Sequence, residues 1–130
     1  MPDQDVKTVQ KKILLVEDDP LLVKMYTAKF TKEGFQVISA QDGEAGLNLA
    51  LKGDVNIIIL DVMMPKLSGI DLLTKLRQDP RGKDIPVLML TNLTQEEEAQ
   101  KALSLGAKEY LIKANLTPSQ VVERVKKYIG

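Results

Sequence analysis

A chain of 130 residues with 44% hydrophobic content can bury one proper core and has the usual size of a single domain. Lys plus Arg and Asp plus Glu are equal at 18 each, so no global field draws the protein to nucleic acid or to an anionic membrane, and recognition has to be local. The absence of Cys and His excludes disulfides, thiolate chemistry, Ser-His-Asp arrangements and His-ligated zinc, leaving carboxylates, Lys, Thr, Ser or a hard metal to carry any chemistry.

The opening MPDQDVKTVQKK is polar and has no signal-like apolar run, so residues 1 to 10 read as a flexible tail ahead of one domain over 11 to 130. No later run approaches the ~20 apolar residues needed to cross a bilayer, and a soluble, cytoplasmic protein is expected. Ile13 to Val16 has the length and aliphatic content of a buried strand. Asp19 then caps a helix with Pro20 at its first position; Leu21, Leu22, Met25 and Tyr26 recur at helical spacing, and Gly34 offers a left-handed stop. Gln36 to Ala40 forms a second strand and Glu44 to Lys52 a short second helix. Asn56 to Leu60 is a third strand running straight into Asp61. Gly69 to Gln78 carries Ile70, Leu72, Leu73 and Leu76 on a third helix, closed by Asp79-Pro80. After a fourth strand, Pro86 to Leu90, Thr94 with Glu97 reads as a capping box, and the acids Glu96 to Glu98 complement the dipole of the helix it opens. Glu109 to Ile112 is the fifth strand, and Thr117-Pro118-Ser119-Gln120 opens the fifth helix with another box.

Five strands each followed by a helix, with strands too uniformly apolar to have a wet face, imply an α/β fold with a parallel sheet covered on both sides. A doubly wound sheet fits this length, whereas a barrel needs about 250 residues. Such sheets place ligand sites beyond the carboxyl ends of their strands. Glu17, Asp18 and Asp19 stand there after the first strand, Asp61 after the third, Thr91 and Asn92 after the fourth, and Lys113 after the fifth. If the first and third strands are neighbours, their ends lie ~4.8 Å apart, close enough for Asp18 and Asp61 to share one cation. Crowded carboxylates repel unless a positive charge joins them, and Mg²⁺, which takes hard oxygen ligands, is the natural candidate.

The stretches ILLVEDDP, LDVMMPKLSG, VLMLTN and GAKEYLIK, in this order, resemble the receiver domains of two-component response regulators, CheY-like proteins with a flavodoxin-like fold. The resemblance covers Lys12 to Tyr128 and implies a five-stranded parallel sheet of order 2-1-3-4-5 with five helices. It also implies that Asp61 accepts a phosphoryl group from a phosphohistidine on a sensor histidine kinase or histidine phosphotransfer protein, with Mg²⁺ required. Glu17, Asp18, Asp61 and the backbone carbonyl of Met63 would hold the metal, Glu17 through water. Lys113 would neutralise phosphoryl charge and Thr91 would bond a phosphoryl oxygen, with Tyr110 filling the space Thr91 leaves and so switching the surface of the fourth helix, fifth strand and fifth helix. Such a module catalyses only its own phosphorylation and dephosphorylation, and signals to a downstream protein target without direct contact with nucleic acid or membrane.

Two positions depart from the family pattern. Ala114 stands where proline usually follows the lysine; a cis bond before a non-proline residue costs ~3 kcal/mol, so a trans bond and a different loop are expected. Asn92 stands where a small residue often follows the threonine, and could bond the phosphoryl group or restrict access. With Met63 and Leu93 nearby, it suggests hindered attack by water and slow self-dephosphorylation. Two other classes compete with this reading. A metal-dependent phosphohydrolase would usually carry a second Asp where Met63 stands, and a module freed from phosphorylation would have no need of Glu17, Asp18, Asp61, Thr91 and Lys113 together.

Overall fold

The computed structural model describes residues 10–130, so the tail read over residues 1 to 10 lies, apart from Gln10, outside the described residues. The strands are β1 (Lys12–Val16), β2 (Gln36–Ala40), β3 (Ile57–Leu60), β4 (Val87–Thr91) and β5 (Glu109–Ile112), all parallel in the order β2-β1-β3-β4-β5. The helices are α1 (Pro20–Lys32), α2 (Gly43–Ala50), α3 (Gly69–Gln78), α4 (Glu96–Ser104) and α5 (Pro118–Ile129), with a 3₁₀ turn at Lys113–Asn115. This is the flavodoxin-like arrangement that the resemblance implied.

Alternation along each strand sends neighbouring side chains to opposite faces, and both faces are covered. Leu14, Val16, Ile58, Leu60, Val87 and Met89 meet Ala50, Leu72, Leu73, Leu76 and Ala102 from α2, α3 and α4. On the other face Ile13, Leu15, Ile57, Ile59, Leu88 and Leu90 meet Tyr26 and Phe30 of α1 and Val121, Val122 and Val125 of α5. Every residue of β3 and β4 is buried, which accounts for their unbroken apolar runs, whereas the edge strand β2 is only partly covered.

Local signals set most helix ends. Asp19 accepts from the Leu21 N–H, Thr117 and Gln120 form the reciprocal capping box, and Gly34 adopts φ 97° just beyond α1. The box expected at Thr94 is not formed. The chain is fastened at Leu93, whose N–H is accepted by Thr91 Oγ1 and whose carbonyl accepts from the Tyr110 hydroxyl. Helix α4 starts beyond this point with Gln95 as its cap residue, and Gln95 offers no side-chain hydrogen bond. Three acids in the first turn, Glu96 to Glu98, are left to complement the helix dipole.

The connection from β3 to α3 folds back tightly. The Gly69 N–H donates to the Val62 carbonyl at 2.8 Å, and a Cβ on Gly69 would fall 2.1 Å from the Asp61 carbonyl oxygen. Only glycine permits that approach, and it fixes the backbone of Asp61 from behind.

Candidate functional site

The ends of β1, β3, β4 and β5 gather the polar residues singled out in the sequence. Strand pairing continues one step past β1 and β3: the Glu17 N–H donates to the Ala40 carbonyl at 3.0 Å and the Asp61 N–H to the Val16 carbonyl at 3.1 Å. Both carboxylates are thereby held at the rim yet nearly buried, while Asp18 between the strand and α1 is exposed. Glu17, Asp18 and Asp61 present carboxylate oxygens within 4.8 Å of one another.

Lys113 reaches this cluster from the edge strand. Its Nζ lies 2.5 Å from Glu17 Oε1 and 2.6 Å from Asp61 Oδ2, with the Lys113, Glu17 and Asp61 side chains only 10%, 3% and 6% exposed. Burial disfavours the Lys113 ammonium, but hydrogen bonds to Asp61 and Glu17 outweigh it and raise the pKa above the ordinary lysine value. Burial pushes the Glu17 carboxyl up, against the opposing pull of Lys113 and the Asp19 N–H. The remaining Asp61 oxygen, Oδ1, accepts from the Met63 N–H at 3.1 Å, so the carboxylate plane is fixed from two sides.

Three carboxylates against one ammonium leave two negative charges in excess when all are ionised. The donors are hard oxygens, and Asp18 keeps one side open to solvent. A hard divalent cation therefore fits, since it balances that excess and retains water ligands.

Thr91 closes β4, fully buried, next to β3 in the sheet, where Leu60 pairs with Met89. Its Oγ1 accepts from its own loop, the Leu93 N–H at 3.2 Å, which leaves the hydroxyl hydrogen free to donate elsewhere. Tyr110, half-buried, donates to the Leu93 carbonyl at 2.7 Å; burial raises its pKa, helped by Glu98 and Asp61. The structure thus brings Glu17, Asp18, Asp61 and Lys113 together directly, and places Thr91 at the end of β4 and Tyr110 in β5, both bonded to Leu93 of the adjoining loop. Met63 is 55% exposed beside them.

The sequence left two features unread. Tyr26, expected only as an apolar helix position, is buried close enough to the cluster that Lys113 and Glu17 pull its pKa in opposite senses, burial raising it most. Asn92 Oδ1 accepts from the Ala114 N–H at 3.2 Å, joining the two positions that depart from the family pattern. Their signal was that each adjoins a site residue, Thr91 and Lys113. The described residues contain no cis peptide bond, and the turn after Lys113 is 3₁₀.

A family model described as "Response regulator receiver domain" matches residues 13–126. The alkaline phosphatase synthesis transcriptional regulatory protein PhoP of Bacillus subtilis is 39% identical over 118 residues, 91% of this chain and 48% of that protein. The chain spans about half the length of the curated relatives it matches. Among solved structures, the CheX-CheY-BeF3-Mg+2 complex of Borrelia burgdorferi is similar with a TM-score of 0.86 and 30% identity, covering 97% of this chain and 94% of that one. Chemotaxis protein CheY4 of Vibrio cholerae gives 0.84 and 29%, over 92% and 99%.

Proposed function

The chain belongs to the response regulator receiver domain family, and we propose that Asp61 is its phosphoacceptor, charged from a phosphohistidine on a sensor histidine kinase or histidine phosphotransfer protein. The observation that carries this is the Lys113 ammonium bridging Asp61 and Glu17, with the Asp18 carboxylate beside them. A carboxylate held in this way is a covalent nucleophile. One Asp61 oxygen forms a bond to phosphorus as the N–P bond breaks; the imidazole leaves with that electron pair and takes a proton from solvent. The product is an acyl phosphate. The ammonium stands next to the new ester and can neutralise an equatorial phosphoryl oxygen, where most stabilisation in this class of reaction arises.

Glu17, Asp18, Asp61 and the Met63 carbonyl would hold Mg²⁺, which when bound supplies further neutralisation of phosphoryl charge. A structural relative named with both BeF3 and Mg+2 supports that assignment. Thr91 donates its free hydroxyl hydrogen to a phosphoryl oxygen, which draws the loop inward. Tyr110, whose hydroxyl is bonded to Leu93 in that loop, then moves with it and reshapes the α4-β5-α5 surface for a protein target. PhoP is named a transcriptional regulator, but this chain matches about half of it, and the proposal for this segment is protein-to-protein signalling. The domain catalyses only its own phosphorylation and a slow dephosphorylation.

Incubation with acetyl phosphate and Mg²⁺, followed by mass analysis, tests the reading. One phosphoryl group per chain is expected, and none in Asp61→Asn at unchanged circular dichroism. Steady hydrolysis without accumulation would identify a phosphohydrolase, and no modification of the wild type would leave an interaction module.

A further inference from the structure

Beyond the β4–β5 ladder, a single hydrogen bond among the described residues joins the β4–α4 loop to the turn that follows β5. Asn92 Oδ1 accepts the backbone N–H of Ala114 at 3.2 Å, across 22 positions of sequence. The chemistry of the donor fixes which Asn92 atom is involved, since only the side-chain oxygen can accept. Both ends of this bond are one residue from the site: Asn92 follows Thr91, and Ala114 follows Lys113.

Ala114 is the middle residue of the 3₁₀ turn Lys113–Asn115. The leading N–H groups of a helical turn have no acceptor within it, and an adjacent side-chain oxygen commonly supplies one. Here the residue before the turn is Ile112, which makes no side-chain cap. Asn92 provides from the neighbouring loop what Ile112 cannot. Alanine at 114 supplies the N–H that this needs; proline would have none. The β4–α4 loop is itself held at Leu93 by Thr91 and Tyr110, which ties down the backbone next to Asn92, although the bond from Asn92 to Ala114 lies at the exposed surface.

We propose that Asn92 is a positioning residue for phosphoryl transfer: its side-chain carbonyl anchors the turn that carries Lys113, and couples the placement of that amine to the strand end carrying Thr91. The inference rests on the reading of Asp61 as phosphoacceptor. When Thr91 shifts toward a phosphoryl oxygen, Asn92 shifts with it and takes the Ala114 backbone along, so hydroxyl and amine close on the same group together. In this arrangement the Asn92 amide does not need to touch the phosphoryl group.

Asn92→Ala removes the acceptor; Asn92→Asp keeps an acceptor oxygen but adds a negative charge beside an acidic cluster, so it serves the exchange comparison alone. In the unmodified proteins, NMR-detected exchange of the Ala114 amide should be about fivefold faster in Asn92→Ala than in wild type, and near wild type in Asn92→Asp. With acetyl phosphate and Mg²⁺, Asn92→Ala should lower the maximal rate of Asp61 modification about fivefold without changing the half-saturating donor concentration. Equal exchange in wild type and Asn92→Ala overturns the proposal. So does an unchanged maximal rate in Asn92→Ala despite faster Ala114 exchange, because the anchored turn would then have no bearing on the amine. Failure of the wild type to be modified would count against the phosphoacceptor reading alone; the exchange comparison needs no phosphorylation and decides the link by itself.

Discussion

Replacing Lys113 by Met keeps the unbranched shape of the side chain, one atom shorter, and removes its charge, which isolates what the ammonium contributes to the metal-free fold. In the structure that charge sits 2.5 Å from Glu17 and 2.6 Å from Asp61, in a rim where none of the three side chains is more than 10% exposed. Removing one partner of a buried pair costs about 3–5 kcal/mol, chiefly because the other charge stays behind. Two carboxylates stay behind here, but water reaches the cluster past Asp18, and Glu17, already inclined toward its protonated form, can take up a proton. Both effects point to the lower end, about 3 kcal/mol. For a domain of this size that lowers the melting midpoint by roughly 10 °C in buffer with chelator. On the reading of the cluster as a Mg²⁺ site, the ion binds only the folded protein and replaces the missing charge, so it should raise the midpoint of Lys113→Met by more than it raises that of wild type. Differential scanning calorimetry with chelator and with Mg²⁺ measures both quantities. Melting of Lys113→Met within about 2 °C of wild type in chelator, with equal Mg²⁺ shifts, would refute the electrostatic account of the cluster.

Tyr110→Phe deletes the hydroxyl that donates to the Leu93 carbonyl at 2.7 Å; a loss of about 1 kcal/mol by urea denaturation is expected, and no loss would mean that the loop does not depend on it. Gly69→Ala forces a Cβ to 2.1 Å from the Asp61 carbonyl oxygen, against the Asp61–Val62 backbone, so it should cost about 3 kcal/mol and also slow Asp61 modification; wild-type stability would show that the loop can relax. Hydrogen bonds from the Arg81 side chain and backbone hold the Asp79 carboxyl at about 2, below its ordinary 3.8, so its stabilising contribution is complete above that ordinary value and is lost as pH falls through about 2. Asp79→Asn should therefore be less stable than wild type at neutral pH and converge with it in strong acid; a constant difference would contradict the assignment. On the phosphoacceptor reading, with bulky Met63 and Leu93 each two residues beyond Asp61 and Thr91, the phosphorylated form should persist for minutes or longer after donor removal, followed by loss of the mass increment; decay within seconds would show that water reaches the ester freely.

The sheet was legible because its central strands are covered on both faces and so read as unbroken apolar runs, and the candidate site was legible because each such run stops at an acid or a hydroxyl, with Lys113 following the edge strand β5. What the sequence hid has a common physical character: the partner is a backbone group, which carries no residue-specific signature. Arg77 reads as a base at the end of a helix, yet its guanidinium donates to the carbonyls of Leu105, Gly82, Lys83, Ile85 and Gly106, tying α3 to two loops. Asn92 and Ala114 meet in the same way, and the box read at Thr94 fails because the helix begins one residue later, with Gln95 at the cap position. Side-chain patterns predict packing; they are silent on which carbonyl a distant donor will find.

That distinction bears on how Lys113 can serve both states of the site. An ammonium has three donors, and two are committed, one to Glu17 and one to Asp61. On the phosphoacceptor reading, esterification converts the Asp61 carboxylate into a neutral acyl oxygen and places new negative charge a bond further out. The attraction toward Asp61 Oδ2 falls while that toward the phosphoryl oxygens rises, and Glu17, which is not modified, continues to hold the amine. Lys113 then needs only to rotate about its terminal bonds, pivoting on Glu17, provided that its own backbone does not move independently. A backbone anchored at Ala114 meets that condition, and one released by Asn92→Ala would spread the same rotation over the whole turn and weaken its effect on the transferred group.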